Sequence, residues 1–317
     1  MRILVTGGAG FIGSHLCERL VRMGHQVAIL DDLNDFYSPE LKRANLAAIQ
    51  AAGRVEIHIG DIRDTAAVEQ VFSGFRPETV CHLAARAGVR PSLEQPLLYE
   101  ETNVRGTLVL LEAARKHGLG KFVFASSSSI YGAANRTPFR EDDNTNWPVS
   151  PYAATKIAGE KLCYTYSHLY GIPVICLRFF TVYGPRQRPD LAIHKFTRLM
   201  AAGRPIPFFG DGSTGRDYTY IDDILAGLLA ALDYDCRYEI FNLGNSHPVT
   251  LTEMVAELEQ ALGRKAILDR QPEQPGDVPI TFADISKAER LLGYRPQTPF
   301  REGIQRFIAW FRDLSTL

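Results

Sequence analysis

The feature that most restricts this 317-residue chain lies within its first turn of structure. The apolar run Ile3-Leu4-Val5 leads into Thr6-Gly7-Gly8-Ala9-Gly10-Phe11-Ile12-Gly13, and a helix-like stretch, Ile12–Met23, follows. A strand that passes into a helix through three spaced glycines uses each one differently. Gly7 permits the tight turn, Gly10 lets backbone approach a pyrophosphate, and Gly13 lets helix and strand pack closely. Phe11 and Ile12 sit where the helix N-terminus offers N–H donors and the positive end of its dipole to an anion. The spacing is GxxGxxG, not the strict GxGxxG, so the loop taken alone could also be a simple turn.

The residues after the loop add specificity. Asp31 closes the next apolar run, Val27–Leu30, 18 residues past Gly13. That is near the separation of about 20 for the acidic residue that accepts ribose hydroxyls in a dinucleotide site. A carboxylate there repels a 2′-phosphate, which favours NAD over NADP. Asp32 is its neighbour and the alternative. Asp61-Ile62, after a third run, could hold the adenine edge, or Asp61 could be a plain helix N-cap. Leu83-Ala84-Ala85, after a fourth run, are small enough for close approach to the cofactor.

Short β-branched runs alternate with longer helical stretches. Ile3–Val5, Val27–Leu30, Val55–Ile59, Thr79–Leu83, Phe122–Ala125 and Val174–Phe179 read as strands. Ile12–Met23, Leu41–Ala51, Ala66–Phe72, Tyr99–Lys116 and Tyr152–Tyr170 read as helices. This alternation predicts an α/β fold, a Rossmann-type doubly wound parallel sheet. Past residue 180 prolines and glycines break the pattern. A helix over Thr250–Leu262, with Thr250 and Glu253 placed as a capping box, and another over Phe300–Leu314 remain legible. The expected division is residues 1–180 for the NAD-binding domain, with a segment near 215–245 returning to it. Residues 181–317 would be mainly a smaller, interleaved substrate domain.

Composition excludes some partners. The net charge is -1 and the pI about 6.7, so no broad basic field argues for nucleic acid or a membrane surface. No apolar stretch approaches the roughly 18 residues of a spanning helix. Five scattered cysteines without CxxC spacing read as small buried hydrophobes in a reducing, cytoplasmic setting. The histidines lack ligand spacing, and no metal is expected.

The reactive chemistry is expected further along. Tyr152 and Lys156 are four residues apart and share a helix face. A free tyrosine, with a pKa of about 10, is a poor base near neutral pH. A nearby lysine cation stabilises its phenolate, and the positive nicotinamide ring adds to the effect. Pro151 suits the start of that helix. Ser126-Ser127-Ser128-Ser129 directly follows a hydrophobic strand, 25 residues before Tyr152 at Ser127. Hydroxyls at a strand's carboxyl end lie where open α/β sheets bind ligands.

These stretches, with His82-Leu83-Ala84-Ala85, Asn103-Val104-Arg105-Gly106-Thr107 and Arg216-Asp217-Tyr218, resemble the extended short-chain dehydrogenase/reductases. Within them the chain is similar to the nucleotide-sugar epimerases, across essentially its whole length. The resemblance implies Tyr152 as base, Lys156 as its partner and Ser127 as the hydroxyl on the reacting sugar oxygen. It also places Asn103 and Phe180 at the nicotinamide, Arg216 on the diphosphate and Asp277 on the nucleotide ribose. Members begin by removing hydride from sugar C4 to NAD. Where dehydratases of this kind carry an Asp-Glu pair, this chain has Ser128 and Ser129, and decarboxylases carry Glu at the second position. Epimerisation is the reaction left.

Thr181, followed by Arg186-Gln187-Arg188-Pro189-Asp190, resembles the UDP-glucuronate 4-epimerases. A C6 carboxylate calls for arginine's charge-assisted fork, and Arg90, Arg188 and Arg186 are the candidates. Alternatives are a UDP-glucose/galactose or UDP-N-acetylhexosamine 4-epimerase, a UDP-glucuronate decarboxylase, or a non-catalytic NAD-binding regulator. Relatives are commonly homodimers, so a homodimer is expected.

Overall fold

A computed structural model describes residues 1–133, 136–272 and 279–314. The early apolar runs become β1 (Arg2–Thr6), β2 (Gln26–Asp31), β3 (Glu56–Ile59), β4 (Thr79–His82), β5 (Lys121–Ser127) and β6 (Val174–Phe179). Then come β7 (Thr181–Tyr183), β8 (Ile206–Phe209), β9 (Gly215–Tyr220), β10 (Tyr238–Leu243), β11 (Pro248–Thr250), β12 (Leu268–Gln271) and β13 (Ile280–Thr281). Seven of them form one sheet in the order β3-β2-β1-β4-β5-β6-β10. The pairs β1–β2, β1–β4, β2–β3 and β4–β5 are parallel. β4 and β6 are buried at every residue, which is why apolar residues are consecutive in them and do not alternate with exposed polar ones, His82 and Arg178 being buried polar exceptions. The strand order reverses at β1, between β2 and β4, and the carboxyl ends of strands at such a switch point are where open sheets bind ligands.

The chain divides into two compact units. The first holds Met1–Gly132, Asn144–Arg178 and Leu228–Phe241; the second holds Ala133–Asp143, Phe179–Gly227 and Asn242–Leu317. The excursion at 133–143 has no counterpart in the sequence reading, and the returning segment is shorter than the span of 215–245. In the second unit β9 pairs with β7 and β13 in parallel and with β11 antiparallel, while β8 pairs with β12. Its helix Leu251–Leu262 begins with the capping box: Glu253 N donates to Thr250 Oγ1 at 3.1 Å, and Thr250 N donates to Glu253 Oε2 at 2.7 Å. The helices Ala192–Ala201 and Ile221–Asp233 were not anticipated.

One expected helix is broken. Tyr99–Lys116 reads as a single helix, but the chain forms Pro96–Glu100, a π-helical turn over Glu101–Arg105, and Gly106–His117. Long-range bonds made by Asn103, described below, hold this wider turn, and Thr107 Oγ1 donates to the Asn103 carbonyl at 2.6 Å. Gly106 is needed there, since a Cβ would lie 2.6 Å from Ile62 Cδ1. The helix Pro151–Tyr170 packs on β5 through Gly159, where a Cβ would lie 2.4 Å from Phe124 Cζ.

The end of β4 is tied to β1 by a buried imidazole. His82 Nδ1 lies 2.7 Å from Thr6 Oγ1, and its Nε2 lies 2.9 Å from Thr107 Oγ1. Thr107 uses its single hydrogen on the Asn103 carbonyl, so it accepts from His82 Nε2–H. Thr6 Oγ1 accepts from Ala84 N at 3.3 Å and donates to Nδ1. This bonding suits a neutral ring. Burial, aided by the Lys156 charge, pushes the His82 pKa down to about 3. Between that value and the ordinary 6.5 the unfolded chain binds more protons than the folded one. Stability contributed here is therefore full above pH 6.5 and declines as the pH falls toward 3. We expect His82→Gln to flatten this part of the stability curve in chemical unfolding measured from pH 4 to 7, though it lowers stability at pH 7. An unchanged slope would reject the assignment.

Candidate active site

The glycine loop is built as a cradle. Gly7 has φ 72°, in the left-handed region, and a Cβ on it would lie 2.7 Å from Ala84 N. A Cβ on Gly13 would lie 2.2 Å from the Gly7 carbonyl oxygen. Gly10 is the N-cap of the helix Phe11–Arg22 and supplies no side-chain cap, which leaves the first N–H groups of that helix to a ligand. Phe11 is buried and Ile12 half-buried. Leu83, Ala84 and Ala85 follow β4 directly, with Leu83 N donating to Thr6 O at 3.1 Å, so small residues there keep the loop and β4 in contact. These residues fit a pyrophosphate laid against the loop.

Asp31 ends β2 and is 7% exposed. Its oxygens accept Ala9 N at 3.0 Å and Leu33 N at 2.9 Å, so it braces the loop as well as offering lone pairs outward. Burial pushes its pKa up, while the two N–H groups and Lys42 pull it back. Asp32 is occupied locally, accepting from Asn34 N at 3.1 Å. Asp61 is not a helix cap. The cap of the following helix is Asp64, whose Oδ1 accepts Ala66 N at 2.8 Å. Asp61 instead takes the Arg63 guanidinium, with Nη2 to Oδ2 at 2.6 Å, and is held below the usual carboxylate range. Ile62 is core, 4% exposed.

At the reactive end, Ser150 caps the helix Pro151–Tyr170 by accepting Ala153 N at 3.1 Å, and Pro151 occupies its first turn. This places Tyr152 at the helix start, half-buried, with its ring edge-on to Tyr99 at 6.2 Å. Lys156, one turn on, is 4% exposed and donates from Nζ to the Ala125 carbonyl at 2.6 Å. Burial lowers its pKa to about 8, and the Glu160 charge works against that fall. Ser127 closes β5 and caps the next turn, Ser128–Tyr131, accepting Ser129 N at 3.2 Å. Ser128 and Ser129 are half-buried on that turn. Asn103 is fully employed: Oδ1 accepts Arg86 N at 2.8 Å, and Nδ2 donates to Arg86 O at 2.9 Å and to Thr155 Oγ1 at 3.0 Å. It thus joins the loop after β4 to the Tyr152 helix.

The remaining candidates are spread over both units. Arg90 is exposed on the short helix Val89–Glu94 of the first unit. In the second, Phe180 is buried, its N–H donating to Leu243 O at 3.0 Å, and Thr181 opens β7 half-buried. Arg186 sits at φ 63° in a turn where Gln187 Nε2 donates to Val182 O at 3.1 Å. Arg188 grips Asp190 with Nε at 3.0 Å and Nη2 at 2.9 Å, an alignment that fixes its fork. Arg216 leans along β9, donating to Gly215 O at 2.9 Å. Its neighbour Asp217 is the hub of this unit, accepting Asn245 N at 2.6 Å and Ser246 N and Ala283 N at 3.0 Å. Asp277 lies outside the described residues.

Sequence reasoning missed Glu160 and Arg178. Arg178 Nη2 and Glu160 Oε2 are 2.9 Å apart, with side chains 3% and 4% exposed. A charged residue in an otherwise apolar strand was the available signal, because buried arginines are almost always paired.

Known proteins are similar to this chain over nearly its whole length. A UDP-glucuronate 4-epimerase from Thermodesulfobacterium geofontis is 43% identical, covering 98% of this chain and 96% of its own. The crystal structure of a UDP-glucuronic acid 4-epimerase from Bacillus cereus, in complex with UDP-glucuronic acid and NAD, superposes with a TM-score of 0.93 at 37% identity, covering 99% of this chain and 100% of that one. A UDP-glucose 4-epimerase from Thermotoga maritima, solved with UDP-glucose, superposes with a TM-score of 0.91 at 34% identity, covering 99% and 100%. The family described as GDP-mannose 4,6 dehydratase matches residues 4–307, and the chain belongs to that family, within the extended short-chain dehydrogenase/reductases.

Proposed function

We propose that this protein is an NAD-dependent 4-epimerase that converts UDP-glucuronate to UDP-galacturonate through a transient 4-keto sugar. The observation that carries this reading is the turn after β5, where Ser127, Ser128 and Ser129 present hydroxyls and no carboxylate. Elimination of a C6 hydroxyl needs an acid and a base beside the sugar, and the turn supplies neither. Glu160, the carboxylate bonded to Ser126, is already committed to Arg178. The similarity to UDP-glucuronate 4-epimerases over nearly the whole chain supports the same reading.

Bound NAD would supply hydride acceptance at sugar C4 and hydride return. Tyr152 takes the C4 hydroxyl proton and later gives it back, while Ser127 orders the sugar oxygen. Lys156, charged below about pH 8, stabilises the Tyr152 phenolate. Gly7, Gly10 and Gly13 seat the pyrophosphate, and Asp31 takes the adenosine ribose hydroxyls. Arg216 takes the substrate diphosphate, and Arg186, Arg188 or Arg90 the C6 carboxylate. A 4-keto glucuronate is a β-keto acid that loses CO2 readily, so a restrained carboxylate protects this intermediate until the hydride returns. We also place the protein in the cytoplasm as a homodimer. Its cysteines, four of the five buried, suit a reducing compartment, and Leu97, Leu108 and Tyr164 are exposed apolar side chains on Pro96–Glu100, Gly106–His117 and Pro151–Tyr170. No helix among the described residues is long and apolar enough to cross a membrane.

UDP-glucuronate incubated with the protein and NAD should give UDP-galacturonate by chromatography, with no net NADH. UDP-xylose as main product would overturn the assignment, and turnover confined to UDP-glucose would move it to the neutral sugars. Tyr152→Phe should lower turnover by roughly 10²- to 10⁴-fold while leaving NAD retention intact. For the carboxylate, Arg186→Ala, Arg188→Ala and Arg90→Ala are compared on UDP-glucuronate and UDP-glucose. At least one should lose roughly 10- to 100-fold more kcat/KM on the acid sugar. Equal losses on both sugars in all three would remove the arginine explanation.

A further inference from the structure

The buried pair Glu160–Arg178 does more than fill the space under the Tyr152 helix. Glu160 Oε1 accepts from Ser126 Oγ at 2.6 Å and from Arg178 Nε at 2.9 Å, and Oε2 accepts from Arg178 Nη2 at 2.9 Å. The remaining arm of the guanidinium, Nη1, donates to the Tyr131 hydroxyl at 2.9 Å. Ser126 immediately precedes Ser127, and Tyr131 ends the turn that Ser127 caps. One ion pair therefore grips the reactive turn at both ends. Glu160 is also one helical turn beyond Lys156, whose Nζ holds the Ala125 carbonyl at 2.6 Å. The helix that carries Tyr152 thus seizes β5 at two successive residues, Ala125 and Ser126.

We propose that Glu160 and Arg178 are positioning residues that set where the Ser127 hydroxyl stands relative to Tyr152, acting through Ser126 and Tyr131. Stability alone does not account for the arrangement. A buried ion pair is often matched or bettered by apolar residues of similar volume, so it is weak evidence of a stabilising role. Stability also does not explain why the two side chains outside the pair, Ser126 and Tyr131, should bracket one catalytic hydroxyl. The guanidinium fork suits the task, since its donors lie in one rigid plane.

This inference rests on the epimerase reading for its kinetic arm and stands apart from it for its structural arm. Ser126→Ala and Tyr131→Phe each cut one grip without uncovering a charge. Each should lower kcat by roughly 10- to 100-fold, the loss expected when a reacting group is misplaced by about 1 Å. KM for the UDP-sugar and bound NAD should change little, and the melting temperature should fall by only a few degrees, as expected for one lost hydrogen bond to a buried charge. Arg178→Lys keeps the charge but cannot reach both partners, and should show the same split. Wild-type kcat in Ser126→Ala and Tyr131→Phe, or losses that only track melting temperature, would overturn the proposal. Crystal structures of the two variants should show Ser127 Oγ displaced from Tyr152 relative to the unmodified protein. An unmoved Ser127 would overturn it as well. If the unmodified protein turned over no UDP-sugar, the epimerase reading would fail, and the position of Ser127 would still decide this one.

Discussion

A lysine ammonium held almost dry at the end of a parallel sheet is the condition on which the rest of this structure turns. Lys156 keeps 4% of its surface exposed and lies 5.0 Å from the centre of the Phe124 ring. A charge in so poorly polarisable a place acts far more strongly on a neighbouring phenol than it would in water. The same burial works against the charge, bringing its pKa to about 8. The Ala125 carbonyl and the nearby Glu160 carboxylate offset that cost. Much of the local sequence serves this one placement. Ser150 and Pro151 start the helix, Gly159 lets it lie against β5, and Glu160 supplies the compensating charge.

A second set of constraints joins the cofactor end to the reactive end. Thr6, His82, Thr107 and Asn103 form a chain of hydrogen bonds running from β1, through β4, to the π-helical turn. Asn103 then reaches Thr155, whose hydroxyl bonds the Tyr152 carbonyl at 2.8 Å. Each donated hydrogen in the series has its own acceptor, so no member can change protonation or rotamer without leaving a buried group unsatisfied. The glycine loop and the Tyr152 helix are thereby held in one frame before any ligand arrives. Such preorganisation suits a reaction in which a proton and a hydride must leave the same sugar carbon and its oxygen together.

Much of this was legible in the residues. The spaced glycines announced the loop because a Cβ would lie 2.7 Å from Ala84 N at Gly7, where φ is already 72°, and 2.2 Å from the Gly7 carbonyl oxygen at Gly13. The sequence bounds of β6 match the observed strand, because Val174-Ile175-Cys176-Leu177 is the apolar run that burial on both faces requires, with Arg178 the strand's one charged member. The helix at 99–116 was read as unbroken, because periodicity reports which face is apolar and is blind to one extra residue in a turn. Resemblance gives Asn103 a place at the nicotinamide; its bonds to Arg86 and Thr155, which no local pattern reports, are what hold it in the π-helical turn. The second unit was the least legible. Its strands are short and pair across long stretches of chain, and prolines and glycines interrupt any period.

By itself the sequence determined the order of β1 to β6, the glycine loop, the acidic end of β2 and the one-turn spacing of Tyr152 and Lys156. These depend on local sterics and on periodicity, both of which are written into neighbouring residues. Only the tertiary structure decided how the charged side chains are paired. It showed Asp61 taken by Arg63, Arg188 aligned by Asp190, and Glu160 joined to an arginine 18 positions away. Hydrogen bonds and ion pairs depend on side chains meeting within about 3 Å, which apolar periodicity does not report whether the partners are two residues apart, as in Arg63 with Asp61, or 18, as in Arg178 with Glu160.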